Sequence, residues 1–131
     1  MKIFIGQRVT GEDQEKLKKF SLKISRTLEK NGHSVYCQVI NKGIESNSPG
    51  EQMNKAFKEI DDSDVFLGIV KSNKKSEGMI MEVGYVIARG KRLIIAVKSK
   101  IKNSTYLNEM TNEVITFDTT SDLLNKLKNI K

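Results

Sequence analysis

Two hydrophobic rhythms alternate along this chain of 131 residues. Unbroken apolar runs suited to buried strands occur at 1–6 (MKIFIG), 34–40 (SVYCQVI), 64–70 (DVFLGIV), 92–98 (RLIIAVK) and, more briefly, 113–117 (EVITF). Between them apolar residues recur at helical spacing. Leu17, Phe20, Ile24 and Leu28 mark a helix over 13–30, stopped at Asn31-Gly32. Further helices are predicted over 49–60, 78–89 and 121–130, with a short helical segment between the fourth and fifth strands. The order β-α-β-α-β-α-β-(α)-β-α predicts an α/β fold. Its expected form is a flavodoxin-like, Rossmann-like three-layer sandwich around a five-stranded parallel sheet of order 2-1-3-4-5, joined by right-handed crossovers. No repeat or linker divides the sequence, so 1–131 reads as one domain.

Sheets of this kind bind ligands beyond the carboxyl ends of their strands, where the strand order reverses. That rule singles out the loops at 6–13, 41–50 and 71–78; the second, NKGIESNSPG, reads as an exposed loop or mobile lid. The net charge of +7 invites a nucleic-acid reading. Against specific recognition, the arginines are only Arg8, Arg26, Arg89 and Arg92, and no zinc-finger, RNP or basic-zipper pattern is present. The lysines therefore read mainly as solvated surface, with a weaker welcome for a small anion. Lone Cys37 cannot form an internal disulfide, and no Cys/His spacing suits a metal, which points to a reducing, cytoplasmic setting. No segment has the apolar length to span a bilayer. Neither a P-loop nor a dinucleotide fingerprint occurs. His33 reads as a turn residue, Cys37 as core, and Tyr85 as core in preference to a base-stacking surface.

The helix in SEGMIMEVGYVIARG (76–90) carries one acid, Glu82, in an otherwise apolar stretch from 78 to 88. Ser76 is a suitable N-cap, which puts Glu82 in the second turn at the ligand-binding edge, with Met79, Tyr85, Val86 and Arg89 on its helical face. Two readings stand at this point. Glu82 belongs to a solvated face beside Arg89, or it is a shielded carboxylate set at a site, with apolar walls raising its pKa and the helix N-terminus opposing them.

KIFIGQRVTGED, DSDVFLGIV and S-E-G-M-I-M-E-V-G-Y followed by A-R-G-K-R together resemble the nucleoside 2-deoxyribosyltransferase family, and within it the 2'-deoxynucleoside 5'-phosphate N-hydrolases. Ser76, Gly78, Glu82 and Gly84 match the family's Ser-x-Gly-x-x-x-Glu-hydrophobic-Gly pattern residue by residue. The resemblance implies that Glu82 is a catalytic nucleophile attacking the anomeric carbon of a deoxyribose, and that no metal or organic cofactor is needed. It further implies a small nucleoside or nucleotide substrate, with Gly6 in the first loop, Ser76 and Gly78 contacting it and Arg8 adding a phosphate clamp. Gly78 and Gly84 would keep the backbone close to ligand and sheet. Ser104 lies near where the family offers a residue to a neighbouring subunit, implying a homodimer. Three positions depart from the pattern. The family's second-helix aspartate is Ala56 here, with Glu59 one turn further on, and Ile80 and Met81 replace a glycine and an aromatic residue. A non-catalytic nucleotide-binding domain and a non-specific nucleic-acid binder are the alternative readings.

Overall fold

The computed structural model describes residues 1–41 and 48–131. Most of the loop read above as a lid, residues 42–47, therefore lies outside the described residues. Five strands, β1 (Lys2–Gln7), β2 (Ser34–Cys37), β3 (Val65–Val70), β4 (Arg92–Lys98) and β5 (Glu113–Phe117), form an all-parallel sheet of order β2-β1-β3-β4-β5. The helices are α1 (Gln14–Lys30), α2 (Pro49–Asp61), α3 (Glu77–Ala88) and α4 (Thr120–Leu127). Two 3₁₀ turns, Ser99–Ser104 and Leu107–Glu109, occupy the segment between β4 and β5. This is the expected three-layer sandwich.

Strand alternation assigns the layers. Ile3, Ile5, Leu67 and Ile94 face α1 and α4, where Ile24, Leu28, Leu123 and Leu127 complete one core. Phe4, Phe66, Ile95 and Val97 face α2 and α3, against Ala56, Ile60, Met79, Val83 and Val86. Fully buried side chains of this kind each contribute roughly 1.5–3 kcal/mol, so both layers depend on their apolar stripes far more than on helix propensity. The stripes start where the caps allow. Asp13, Ser48, Ser76 and Thr119 each accept a backbone N–H from the first turn of their helices, and Ser48 with Glu51 forms a reciprocal capping box ahead of Pro49. Gly32, at φ +88°, supplies the left-handed turn that ends α1.

The second strand is shorter than its apolar run predicts. Asn41 closes a turn on Cys37, its Oδ1 accepting the Cys37 N–H at 3.0 Å while its own N–H donates to the Cys37 carbonyl at 2.8 Å. Val39 and Ile40 still pack on the core, but from this turn and not from the ladder. Hydrophobic content alone cannot distinguish the two placements.

Candidate functional site

Three loops gather beyond the carboxyl ends of β1, β3 and β4 and enclose two adjoining clefts. The first, of about 620 Å3, lies between the end of β1, α2 and the first half of α3. Arg8, Ser76, Gly78 and Glu82 all line it, as do Ala56 and Met53 from α2. The second, of about 350 Å3, is enclosed by the β3–α3 loop and residues 103–109; Arg8, Ser76 and Ser104 line it. The two share Arg8, Lys75, Ser76 and Met79, so the capped start of α3 is the ridge between them.

Glu82 is the distinctive group. It is 6% exposed, on the inner face of α3 with Met79, Val83 and Val86. Among the described residues no hydrogen-bond donor or cation engages its carboxylate. Burial pushes its pKa up to about 8. The solvated-face reading of Glu82 is therefore overturned, and so is the expected balance between apolar walls and helix N-terminus, because desolvation dominates. Arg89 does not stand beside it. Its Nε donates to Asp61 Oδ1 at 3.0 Å, and Tyr85 Oη donates to Asp61 Oδ2 at 2.7 Å, while the Tyr85 ring stacks on Phe57 at 4.3 Å. Tyr85 and Arg89 thus tie the C-terminal half of α3 to the end of α2, and neither is bonded to the Glu82 carboxylate.

The other sequence-selected residues separate into roles. Ser76 Oγ accepts the Met79 N–H at 3.2 Å, so it caps the helix while lining both clefts. Arg8 is held by an ion pair to Glu12, within a loop turned at Gly11 (φ +83°). Gly78 exposes backbone to the first cleft, and a Cβ there would meet only the Met53 methyl at 3.5 Å. Gly6 is buried, and it lines a small void beside Glu82 and not either large cleft. A side chain there would overlap the Phe66 ring, so its smallness serves the packing of β1 against that ring. Gly84 faces away from the sheet, and a methyl group added there would have no neighbour within 4 Å, which removes the backbone-approach reason for this glycine. Glu59 does not replace the missing acid: it pairs with Lys2 at 3.0 Å and Lys55 at 3.2 Å, and only Ala56 from that helix turn reaches the cleft.

Sequence reasoning missed Gln7, and it read Lys71, Lys74 and Lys75 as a solvated loop that adds at most a local positive field. Gln7 ends β1 as a buried residue lining the first cleft, its Nε2 donating to Ser21 Oγ at 2.6 Å and approaching Cys37 Sγ at 3.6 Å, while its Oε1 has no partner among the described residues. Placing the end of β1 one residue later would have made Gln7 an inward position by alternation. Lys71, read as solvated, is half-buried, with Nζ 3.9 Å from the centre of the Phe20 ring, and burial lowers its pKa. Among the described residues no cluster of three His, Cys, Asp or Glu side chains is arranged to hold a metal ion.

Compared with known proteins, the chain matches no protein-family model and no curated protein sequence. Its likeness is to solved structures. A CMP N-glycosidase from Clostridium botulinum superposes with a TM-score of 0.75 at 21% identity, covering 99% of this chain and 100% of that one. A 2-deoxyribosyltransferase from Bacillus psychrosaccharolyticus gives 0.68 at 21% identity, covering 100% and 93%. A 2-desoxiribosyltransferase from Leishmania mexicana gives 0.72 at 10% identity, covering 99% of each chain. Across essentially its whole length, the chain has the five-stranded Rossmann-like α/β fold of these N-glycosidase and deoxyribosyltransferase structures.

Proposed function

We propose that this chain belongs to the nucleoside 2-deoxyribosyltransferase family and cleaves the N-glycosidic bond of a deoxynucleoside 5'-monophosphate, passing the sugar to water or to a second base. The observation that carries the reading is Glu82, a buried carboxyl without a partner among the described residues, on the wall of a cleft at the sheet's carboxyl edge. Structures of similar fold bear the names of an N-glycosidase and of deoxyribosyltransferases, which supports the choice of chemistry.

In this reading a Glu82 oxygen attacks the anomeric carbon as the bond to the base nitrogen breaks. The bonding pair leaves with the base, which takes up a proton from solvent that the attacking water or base later returns. Water, or the nitrogen of another base, then attacks the same carbon and frees Glu82. Cationic character at the sugar stabilises the ionised carboxylate, and the apolar surroundings that raise its pKa strengthen that attraction. Ser76 and Arg8 receive the 5'-phosphate above the ridge, with Gly78 letting the sugar approach the start of α3. Arg8 must be shared with Glu12 or exchanged from it. Ser104 serves a neighbouring subunit of a homodimer, in keeping with the family resemblance.

Base release from ribo- and deoxynucleosides and their 5'-monophosphates, compared between the wild type and Glu82→Gln, tests this directly. Release from a deoxynucleotide that falls at least about a hundredfold in the variant is expected for loss of a nucleophile. Release that persists unchanged in Glu82→Gln excludes the mechanism. A second reading rests on Ala56, which leaves the cleft without the acid the family places there. Nucleotide binding by both proteins, with base release by neither, would favour a sensing domain.

A further inference from the structure

The second cleft lies across the Ser76 ridge from Glu82, which does not line it, and has the size of a small-molecule site. All six residues of the β3–α3 loop, K-S-N-K-K-S from Lys71 to Ser76, line it. Three of them are lysines. Among the described residues, none of the ammonium groups of Lys71, Lys74 and Lys75 has a carboxylate within ion-pairing distance, whereas the other cation on the wall, Arg8, is paired to Glu12. Lys71 is the informative member. A lysine brought half out of water just beyond a central strand carries a desolvation cost, which the charge of Glu12 and the Phe20 ring face offset only in part. Glu12 and Glu109 are the acids on the wall, the first engaged by Arg8 and the second exposed on the rim. Hydroxyls of Ser72 and Thr105 add neutral donors. The cleft is thus an enclosure with unpaired positive charge, continuous with the Glu82 cleft across Ser76.

We propose that this second cleft is a polyphosphate subsite, so that beyond the monophosphate the Glu82 cleft also accepts a nucleotide with a 5'-diphosphate or triphosphate, its outer phosphates lying against Lys71 and Lys74. The proposal rests on the reading of the Glu82 cleft as a nucleotide site. It differs in its demand: a monophosphate would end at Ser76 and leave the lysines unused.

Binding of deoxynucleoside 5'-mono-, di- and triphosphates, each with one of the four bases, would be measured by calorimetry on the wild type, Lys71→Met and Lys74→Ala. Affinity should rise with phosphate number, by about tenfold or more from mono- to triphosphate, as expected for added charge-assisted contacts. Each lysine variant should shrink that ratio, and inorganic tripolyphosphate should compete with the triphosphate. Because the readout is a ratio within one protein, a fall in folded fraction does not imitate it. Equal affinities, tighter binding of the monophosphate, or a preference untouched by both substitutions would overturn the subsite. Base release from monophosphates, lost in Glu82→Gln, with no gain from further phosphates would leave the glycosidase standing and remove this inference. A lysine-dependent triphosphate preference without base release would do the reverse.

Discussion

At the scale of single residues, Glu82 sets a conflict between stability and the proposed chemistry. A carboxyl whose pKa is about 8 in the folded chain and ordinary when unfolded binds its proton more tightly in the native state. Its contribution is neutral in acid, where both states are protonated. As pH rises past the ordinary glutamate value the unfolded state ionises first and stability falls, until the folded group also ionises near pH 8. Over that window the ionisable side chain costs on the order of 5 kcal/mol relative to a neutral isostere. Glu82→Gln is therefore expected to match the wild type in thermal stability near about pH 4 and to exceed it increasingly up to about pH 9. Under the proposed mechanism the same ionisation should give the wild type a rate constant kcat/KM that rises with pH toward a plateau above 8, since a Glu82 nucleophile would have to surrender its proton before attack. Melting curves of equal pH dependence in the two proteins would show that Glu82 is better solvated than its surroundings indicate. The sequence showed the carboxylate and its apolar company, but not its burial. A helix with Met79, Val83, Val86 and Ile87 spread around its circumference has no single polar face from which exposure can be read.

At the scale of elements, α3 does three tasks with three faces, which explains why its pattern was hard to read. Its inner face packs on the sheet and carries Glu82, its capped start divides the two clefts, and its flank is fastened to α2 through Asp61. Asp61 also lies where the Lys91 ammonium donates to its carbonyl at 2.7 Å, so one residue joins the end of α2, the side of α3 and the entry to β4. The Tyr85 hydroxyl and Arg89 guanidinium hold its carboxyl below the ordinary aspartate pKa. That stabilisation is present above the ordinary value and is lost as pH falls through the lowered one. Asp61→Asn should consequently melt below the wild type at neutral pH, and the gap should close as both are acidified to about pH 2. A constant gap across that range would assign the effect to packing alone. Element boundaries themselves were largely legible. Asp13, Ser48, Ser76 and Thr119 are residues whose short polar side chains favour caps, and each helix begins just after one of them. The segment between β4 and β5 was less so, because two short 3₁₀ turns leave no periodicity long enough to recognise.

At the scale of the whole molecule, strand order followed from alternation of element types and the handedness of crossovers, and those constraints leave few topologies for five parallel strands. Charge distribution did not follow in that way. The lysines of residues 71–75 and Arg8 are brought to one edge by topology, although they are far apart in sequence from the 103–109 segment that completes their enclosure. The outward strip of α3 poses the remaining question at this scale. Met81 is 47% exposed and Ile87 49%, and between and beside them Gly84 and Ala88 present almost no side chain. Large apolar groups flanking small ones at helical spacing form a ridge with a notch, a shape complementary to itself about a two-fold axis. A second copy of this chain, packing α3 against α3, would bury both methionines and isoleucines and give Gly84 the close approach it lacks in a single chain. Light scattering should then return twice the mass of one chain for the wild type, and Ile87→Glu should return one, because the new charge would have to be desolvated without a partner. Gly84→Leu, whose Cβ would point into open space beyond its own helix turn, should also weaken the pair while leaving the melting of a monomer unharmed. A wild type that remains single at high concentration would detach this strip from assembly, and the two clefts would then have to work with the residues of one chain alone.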